Sequence, residues 1–151
     1  MFNEIIVAFD GSDHSESALL VACDLAAKYQ ASLHVIHVPE LHKPTAGVAG
    51  TPVSVLSQEN ALHQAGDVII KRAETLAKET GQPLSSTLLL TGPTAQAILE
   101  VAHTKGADLI VSGRRGLSNL KGMLIGSVSQ QLASDAHCAV LTVKAGNVRQ
   151  Q

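Results

Sequence analysis

Aromatic residues are scarce in this sequence, whose 151 residues include two phenylalanines, one tyrosine and no tryptophan. The hydrophobic core must therefore be aliphatic, and there is enough material for it, because hydrophobic residues make up 45% of the chain. Proteins that bind single-stranded nucleic acid stack its bases on aromatic side chains. The scarcity of rings argues against a nucleic-acid partner.

Excess positive charge and long hydrophobic runs are also missing. The formal net charge is −2, so the chain lacks the overall basic character of proteins that bind polyanions. The apolar run near the N-terminus, Ile5–Phe9, is too short for a signal peptide or a membrane span. We therefore expect a cytoplasmic protein that does not insert into membranes.

Cysteine is represented only by Cys23 and Cys138, which lie far apart and lack the spacing of metal ligands. Both are expected to act as small buried hydrophobes. His34 and His37 fall on opposite faces of one predicted strand and cannot chelate a metal together. The other histidines show no ligand spacing, so no metal site is predicted.

Strand-like and helix-like segments alternate along the chain. Five apolar segments are predicted to be strands: Glu4–Phe9, Ser32–Val38, Leu84–Leu90, Ala107–Ser112 and Cys138–Val143. The four segments between them are all predicted to form helices. The first helix is capped within the turn at 10–13, the second is capped by Ser57 and ended by Gly81, and the third is ended by Gly106. This alternation predicts one α/β domain over 1–151, with a Rossmann-like parallel sheet and helices on both faces.

Two segments depart from this regular pattern. Pro39–Leu56 contains three of the five prolines and is long for a connection in a compact domain, so we expect a flexible loop. It is either a disordered segment or a lid over the carboxyl ends of the strands. Lys144–Gln151 is expected to be a polar tail.

A glycine motif follows the fourth predicted strand: G-R-R-G at 113–116, nine further residues, and then Gly126-Ser127 at the start of a predicted helix. Glycines allow backbone N–H groups to approach an anion closely, and the first N–H groups of a helix lack internal partners. Arg114 and Arg115 add positive charge, unless they are ordinary surface residues. The motif predicts a phosphate site, although glycines are also common in loops without a ligand.

The better-known phosphate motifs are missing. The sequence contains no G-x-x-x-x-G-K-[ST], and no G-x-G-x-x-G follows the first strand, which argues against a P-loop NTPase and a dinucleotide-binding site. Ligands of such sheets bind beyond the carboxyl ends of the strands, where the strand order reverses. If strands one and four are neighbours there, Asp10 and the glycine motif face one crevice. Asp10 would then bind a ribose hydroxyl or simply stabilise its turn.

The chain resembles the universal stress protein family from Ile5 to Val143. The matching motifs are I-I-V-A-F-D-G-S at 5–12, V-I-H-V at 35–38, G-A-D-L-I-V at 106–111, the glycine motif with G-S-V-S at 126–129, and C-A-V-L-T-V at 138–143. Arg114 occupies a position where the family often has serine or threonine. The complete glycine motif is the one carried by ATP-binding members.

The resemblance implies an ATP-binding protein with sheet order 3-2-1-4-5, like that of adenine-nucleotide alpha-hydrolases. By position, Ala8, Phe9 and Asp10 would line the ribose side and the Val38 backbone would meet adenine. The phosphates would be held by Gly113, Gly116, Gly126, Ser127 and Val128. The hydroxyls of Ser127 and Ser129 could hold Mg²⁺ as a P-loop hydroxyl does, although the sequence does not demand a metal.

We interpret the chain as a nucleotide-dependent regulatory protein of the stress response, with little or no turnover. The alternatives are an ATP-hydrolysing or adenylating enzyme of the same fold and a nucleotide-free interaction module. In the order 3-2-1-4-5, Cys138–Val143 is an uncharged edge strand, which folded proteins normally cover. Together with the resemblance, it predicts a homodimer through this strand, from which a higher oligomer could be built.

Overall fold

The computed structural model describes residues 1–40, 55–117, 122 and 124–146, which form one five-stranded parallel sheet and four helices. In chain order the elements are β1 Glu4–Ala8, α1 Asp13–Tyr29, β2 Ser32–His37, α2 Val55–Glu79, β3 Ser86–Leu89, α3 Thr94–Lys105, β4 Leu109–Gly113, α4 Ser127–Asp135 and β5 Ala139–Val143. The sheet order is β3-β2-β1-β4-β5, with every neighbouring pair parallel. The predicted fold class and strand order are confirmed.

The sheet is covered on both faces, so successive residues of its inner strands pack into different clusters. Ile5 and Val7 of β1 pack with α1 and α2, whereas Ile6 between them packs with α3 and α4. All three are fully buried. Burial on both faces explains why the inner strands read as continuous apolar runs rather than as alternating patterns.

Several predicted helix ends are correct and one is wrong. Ser12 caps α1, because its side chain accepts a hydrogen bond from the backbone N–H of Ser15. Gly106 ends α3 in the left-handed conformation. Ser57 is not the N-cap of α2, because the helix already begins at Val55 and Ser57 lies inside its first turn.

The two irregular segments lie largely outside the described residues. Of the predicted loop Pro39–Leu56, the structure describes 39–40 and the start of α2 at 55–56, so the connection is shorter than predicted. Of the predicted tail, 144–146 are described. The roles of the loop as a lid and of the tail as a polar extension stay predictions.

Polar side chains gather at the amino ends of the strands. The Asp108 carboxylate accepts hydrogen bonds from the backbone N–H groups of Asn3 and Glu4, at 2.7 and 3.0 Å, which hold the pKa of that carboxyl below its ordinary value. His34 lies between the Ser86 hydroxyl and the Glu4 carboxylate, 2.7 Å from each. This group joins the strand ends opposite those where a ligand would bind.

Both cysteines have a structural environment. Cys23 is buried and Cys138 is half-buried, and burial raises the pKa of each thiol, so both remain protonated at neutral pH.

Within the described ranges, no group of three His, Cys, Asp or Glu side chains could hold a metal ion. None of the described helices combines the length and the apolar character needed to cross a bilayer.

Candidate functional site

A crevice of about 430 Å³ opens at the carboxyl ends of β1, β2 and β4. β1 lies between β2 and β4, so this is the point where the strand order reverses. Eleven of the twelve predicted site residues line it: Ala8, Phe9, Asp10, Val38, Gly113, Arg115, Gly116, Gly126, Ser127, Val128 and Ser129. The structure therefore brings residues from four separate segments to one place.

Arg114 is the predicted site residue that does not line the crevice. Its backbone N–H donates to the carbonyl of Val143 at 2.8 Å, and its own carbonyl accepts from Gly126 N–H at 2.8 Å. These two bonds tie the end of β4 to β5 on one side and to the start of α4 on the other. The placement of Arg114 in the site is wrong, because successive residues leaving a strand point to opposite sides.

A second groove, of about 680 Å³, lies between the carboxyl end of α2 and the edge strand β3. Its lining includes Glu74, Lys78 and Thr87 and none of the predicted site residues. We assign the functional site to the crevice because ligands of open parallel sheets bind beyond the carboxyl ends of the strands. The groove lies at the outer edge of the sheet, away from the reversal point.

Asp10 connects the first turn to the glycine loop. Its Oδ1 accepts a hydrogen bond from the backbone N–H of Ser12 at 2.9 Å, which is the turn-stabilising role. Its Oδ2 faces the loop, since a Cβ added at Gly116 would lie only 2.7 Å from this oxygen. The prediction that Asp10 and the glycine motif line one crevice is confirmed. The Asp10 carboxylate stabilises its turn and also lines the crevice.

Gly113 is required for packing. A Cβ at this position would come within 2.7 Å of the carbonyl carbon of His14 and 2.8 Å of the Ser15 nitrogen. Both are backbone atoms of the first turn of α1 and cannot move aside as a flexible side chain could. The absence of a side chain at Gly113 therefore allows β4 to pass directly beside α1.

Gly126 precedes α4 and has an ordinary backbone conformation, with φ −70° and ψ 156°. Its N–H donates to Arg114, and its carbonyl accepts from Gln130 in the helix. The prediction that the Gly126 N–H is free for a phosphate is therefore wrong. A Cβ at Gly126 would make only ordinary contacts, the nearest at 3.4 Å.

The first turn of α4 supplies N–H donors that are not paired with any acceptor among the described residues. Ser127, Val128 and Ser129 are its first three residues, and their N–H groups have no intrahelical acceptor. Gly126 has no side chain that could cap them. All three residues line the crevice, so the positive end of the α4 dipole adjoins it.

The hydroxyl of Ser129 links α4 to β4. It donates to the carbonyl of Gly113, and the Ser112 hydroxyl donates to it at 3.4 Å. Ser129 is only 4% exposed. The prediction of a Mg²⁺-binding role for this hydroxyl does not fit, because its proton and much of its surface are engaged within the protein. The exposed Ser127 side chain is in the better position.

Arg115 provides positive charge beside these donors. Arg115 lines the crevice and Arg114 does not, whereas the Nε atoms of both arginines are buried without a hydrogen-bond partner in the described part of the chain. The first turn of α4 and Arg115 together can therefore bind an anion.

Sequence reasoning missed several residues that line the crevice. His37, considered only as a metal ligand, lines the crevice, and its Nδ1 lies 2.8 Å from the Phe9 carbonyl oxygen. Leu62 and Ile69 of α2 and Ile98 of α3 supply apolar walls. The position of His37 at the end of β2, directly before Val38, was the available signal.

The chain is similar in sequence to one known protein family. The sequence model of the universal stress protein family matches residues 1–144. A Thermus aquaticus protein, named universal stress protein in QAH/OAS sulfhydrylase 3'region, is 40% identical over 144 residues, with 95% of this chain and all of the relative covered.

Solved structures share the fold. The structure of MJ0577, a protein of Methanocaldococcus jannaschii, superposes with a TM-score of 0.79 at 23% identity, covering 98% of this chain and 99% of that one. A universal stress protein in complex with cAMP superposes with a TM-score of 0.72 at 26% identity, covering 96% and 99% of the two chains.

Proposed function

We propose that this chain, which belongs to the universal stress protein family, binds ATP in the crevice and acts as a nucleotide-dependent regulatory protein of the cytoplasmic stress response. The observation that carries the proposal is the first turn of α4 with Arg115 beside it. Three N–H groups without an acceptor among the described residues adjoin this space, and the charged Arg115 lines it. A polyphosphate supplies the acceptors that these groups lack.

The rest of the crevice suits a nucleoside. The apolar side chains of Leu62, Ile69 and Ile98 suit a base, and Asp10 offers a carboxylate for ribose hydroxyls. A volume of about 430 Å³ is within the range of small-molecule sites. The related universal stress protein that was solved with cAMP supports an adenine nucleotide as the ligand class.

Binding of ATP in preference to nicotinamide dinucleotides is the first test. We expect calorimetry on nucleotide-stripped protein to give a saturable signal with ATP and a much weaker one with NAD, because the sequence lacks the dinucleotide fingerprint. Clear NAD binding without ATP binding would contradict the proposal. Absence of binding to both would favour the nucleotide-free interaction module.

Little or no turnover is part of the proposal. Arg115 and Ser127, at the phosphate end of the crevice, are not general bases, and the nearby Asp10 carboxylate is held by the Ser12 N–H in its turn-stabilising role. We expect phosphate release from ATP to be far slower than the ~10 per second typical of enzymes. A rate near that value, with Mg²⁺ present, would favour the alternative of an ATP-hydrolysing enzyme with this fold.

We also propose a homodimer through Cys138–Val143. β5 is an edge of the sheet, and Leu141 on it is 36% exposed. Pairing with the same edge of a second copy would satisfy its backbone groups and give a two-fold contact. Higher oligomers would need a further surface.

Leu141→Lys is expected to shift the protein from dimer to monomer in sedimentation velocity at micromolar concentration. This position is preferable to Val140, which packs against the cluster beneath α3 and α4, so that a charge there would also destabilise the fold. Val68→Lys, at a 66% exposed position on α2, is the matched control and should remain dimeric. A monomeric wild type, or a dimeric Leu141→Lys variant, would exclude this interface.

A further inference from the structure

His37 ends β2 inside the crevice and is bonded to the neighbouring strand. The Phe9 N–H donates to the Ile36 carbonyl at 2.9 Å, and His37 Nδ1 lies 2.8 Å from the Phe9 carbonyl oxygen. Both peptide groups of Phe9 are thereby held by consecutive residues of β2. His37 is 7% exposed and lines the crevice.

The bond to Phe9 determines the tautomer of the ring. A carbonyl oxygen can only accept, so Nδ1 carries the proton, and in neutral imidazole Nε2 is then an acceptor. No described residue forms a hydrogen bond with Nε2, and this atom is not fully buried. Nε2 is therefore reached from the crevice.

Because His37 Nε2 is a hydrogen-bond acceptor, it favours a ligand group that donates a hydrogen bond. On an adenine nucleotide the donors are the 6-amino group and the ribose hydroxyls, whereas ionised phosphates carry none. We propose that His37 Nε2 accepts a hydrogen bond from a nucleoside N–H or O–H and so orients the nucleoside half of the ligand. This inference rests on the proposed binding of ATP and assigns His37 a specificity role at that site.

Two variants separate the bond to Phe9 from the bond to the ligand. The side-chain NH₂ of His37→Asn can take the place of Nδ1 and keep the donor to Phe9, but nothing replaces Nε2. His37→Gln reaches to the Nε2 position and offers a carbonyl acceptor there. We expect His37→Asn to bind ATP about tenfold more weakly than wild type, and His37→Gln to recover part of the loss. Thermal unfolding without nucleotide should leave His37→Asn close to wild type.

Ligand analogues identify the donor. Calorimetry of wild type and His37→Asn is carried out with ATP, 2′-deoxy-ATP, 3′-deoxy-ATP and purine riboside triphosphate, which lacks the 6-amino group. For the analogue that lacks the donor to Nε2, the two proteins should bind with equal affinity, while the tenfold difference remains for the others. The analogue for which this difference in affinity disappears identifies the donor as the 6-amino group, the 2′-hydroxyl or the 3′-hydroxyl.

The outcomes distinguish the two proposals. If wild type binds none of the four triphosphates, ATP binding itself is wrong. If wild type binds ATP and His37→Asn binds it equally well, or if the loss is the same for all four ligands, His37 does not contact a nucleoside donor and only the inference about His37 is overturned.

Discussion

Gly113→Ala is expected to lower the free energy of unfolding by about 3 kcal/mol, at the upper end of the usual cost of overpacking. The added Cβ would lie 2.7–2.8 Å from atoms of His14 and Ser15. Since the carbonyl carbon and the nitrogen are backbone atoms of α1, relief requires a shift of β4 or of the helix. Urea unfolding of nucleotide-free protein measures the loss directly.

Gly126→Ala is the matched control for this substitution. Its Cβ would have ordinary contacts, and its φ of −70° suits any residue, so the folded protein should tolerate it within about 0.5 kcal/mol. Equal stability of the two variants would contradict the packing role of Gly113. Because Gly113→Ala perturbs the fold itself, a loss of nucleotide binding in that variant would not locate the ligand.

Ser127→Asp should reduce ATP affinity at least about 100-fold, because a carboxylate within about 4 Å of a phosphate charge costs several kcal/mol even near a protein surface. The same substitution places negative charge at the N-terminus of α4, where the helix dipole favours it by about 0.3–1 kcal/mol. Stability without nucleotide should thus be unchanged or higher while binding is lost. Opposite effects on folding and binding are difficult to explain unless the anion lies at this turn.

Two controls accompany Ser127→Asp. Ser127→Asn has a similar size without the charge and should retain most of the affinity, and Gln130→Glu adds a charge at an exposed position farther along α4. Calorimetry at low and high salt should show a smaller penalty at high salt, since screening weakens the repulsion. If Ser127→Asp binds ATP as wild type does, the phosphates lie elsewhere.

The sequence was sufficient for the fold because the information is local and repeated. Strands buried on both faces are continuous apolar runs, and each is separated from the next by a helical pattern or a turn. Ile5–Phe9 and Ala107–Ser112 were recognisable in this way, and the turn after each put Asp10 and the glycine motif at the same edge of the sheet. The resemblance to a family supplied the strand order, which local patterns do not contain.

The tertiary structure alone determined the contacts between residues that lie far apart in the chain. Gly113 is constrained by His14, the Ser129 hydroxyl is used by Gly113, and His37 is held by Phe9. A motif indicates that glycines and serines are present, but not which donors are already engaged within the protein. Arg114 and Arg115 are adjacent residues of the same type, so the sequence does not distinguish their roles. In the structure, the direction of the chain after β4 lets the Arg114 backbone bond β5 and the start of α4, while Arg115 lines the crevice.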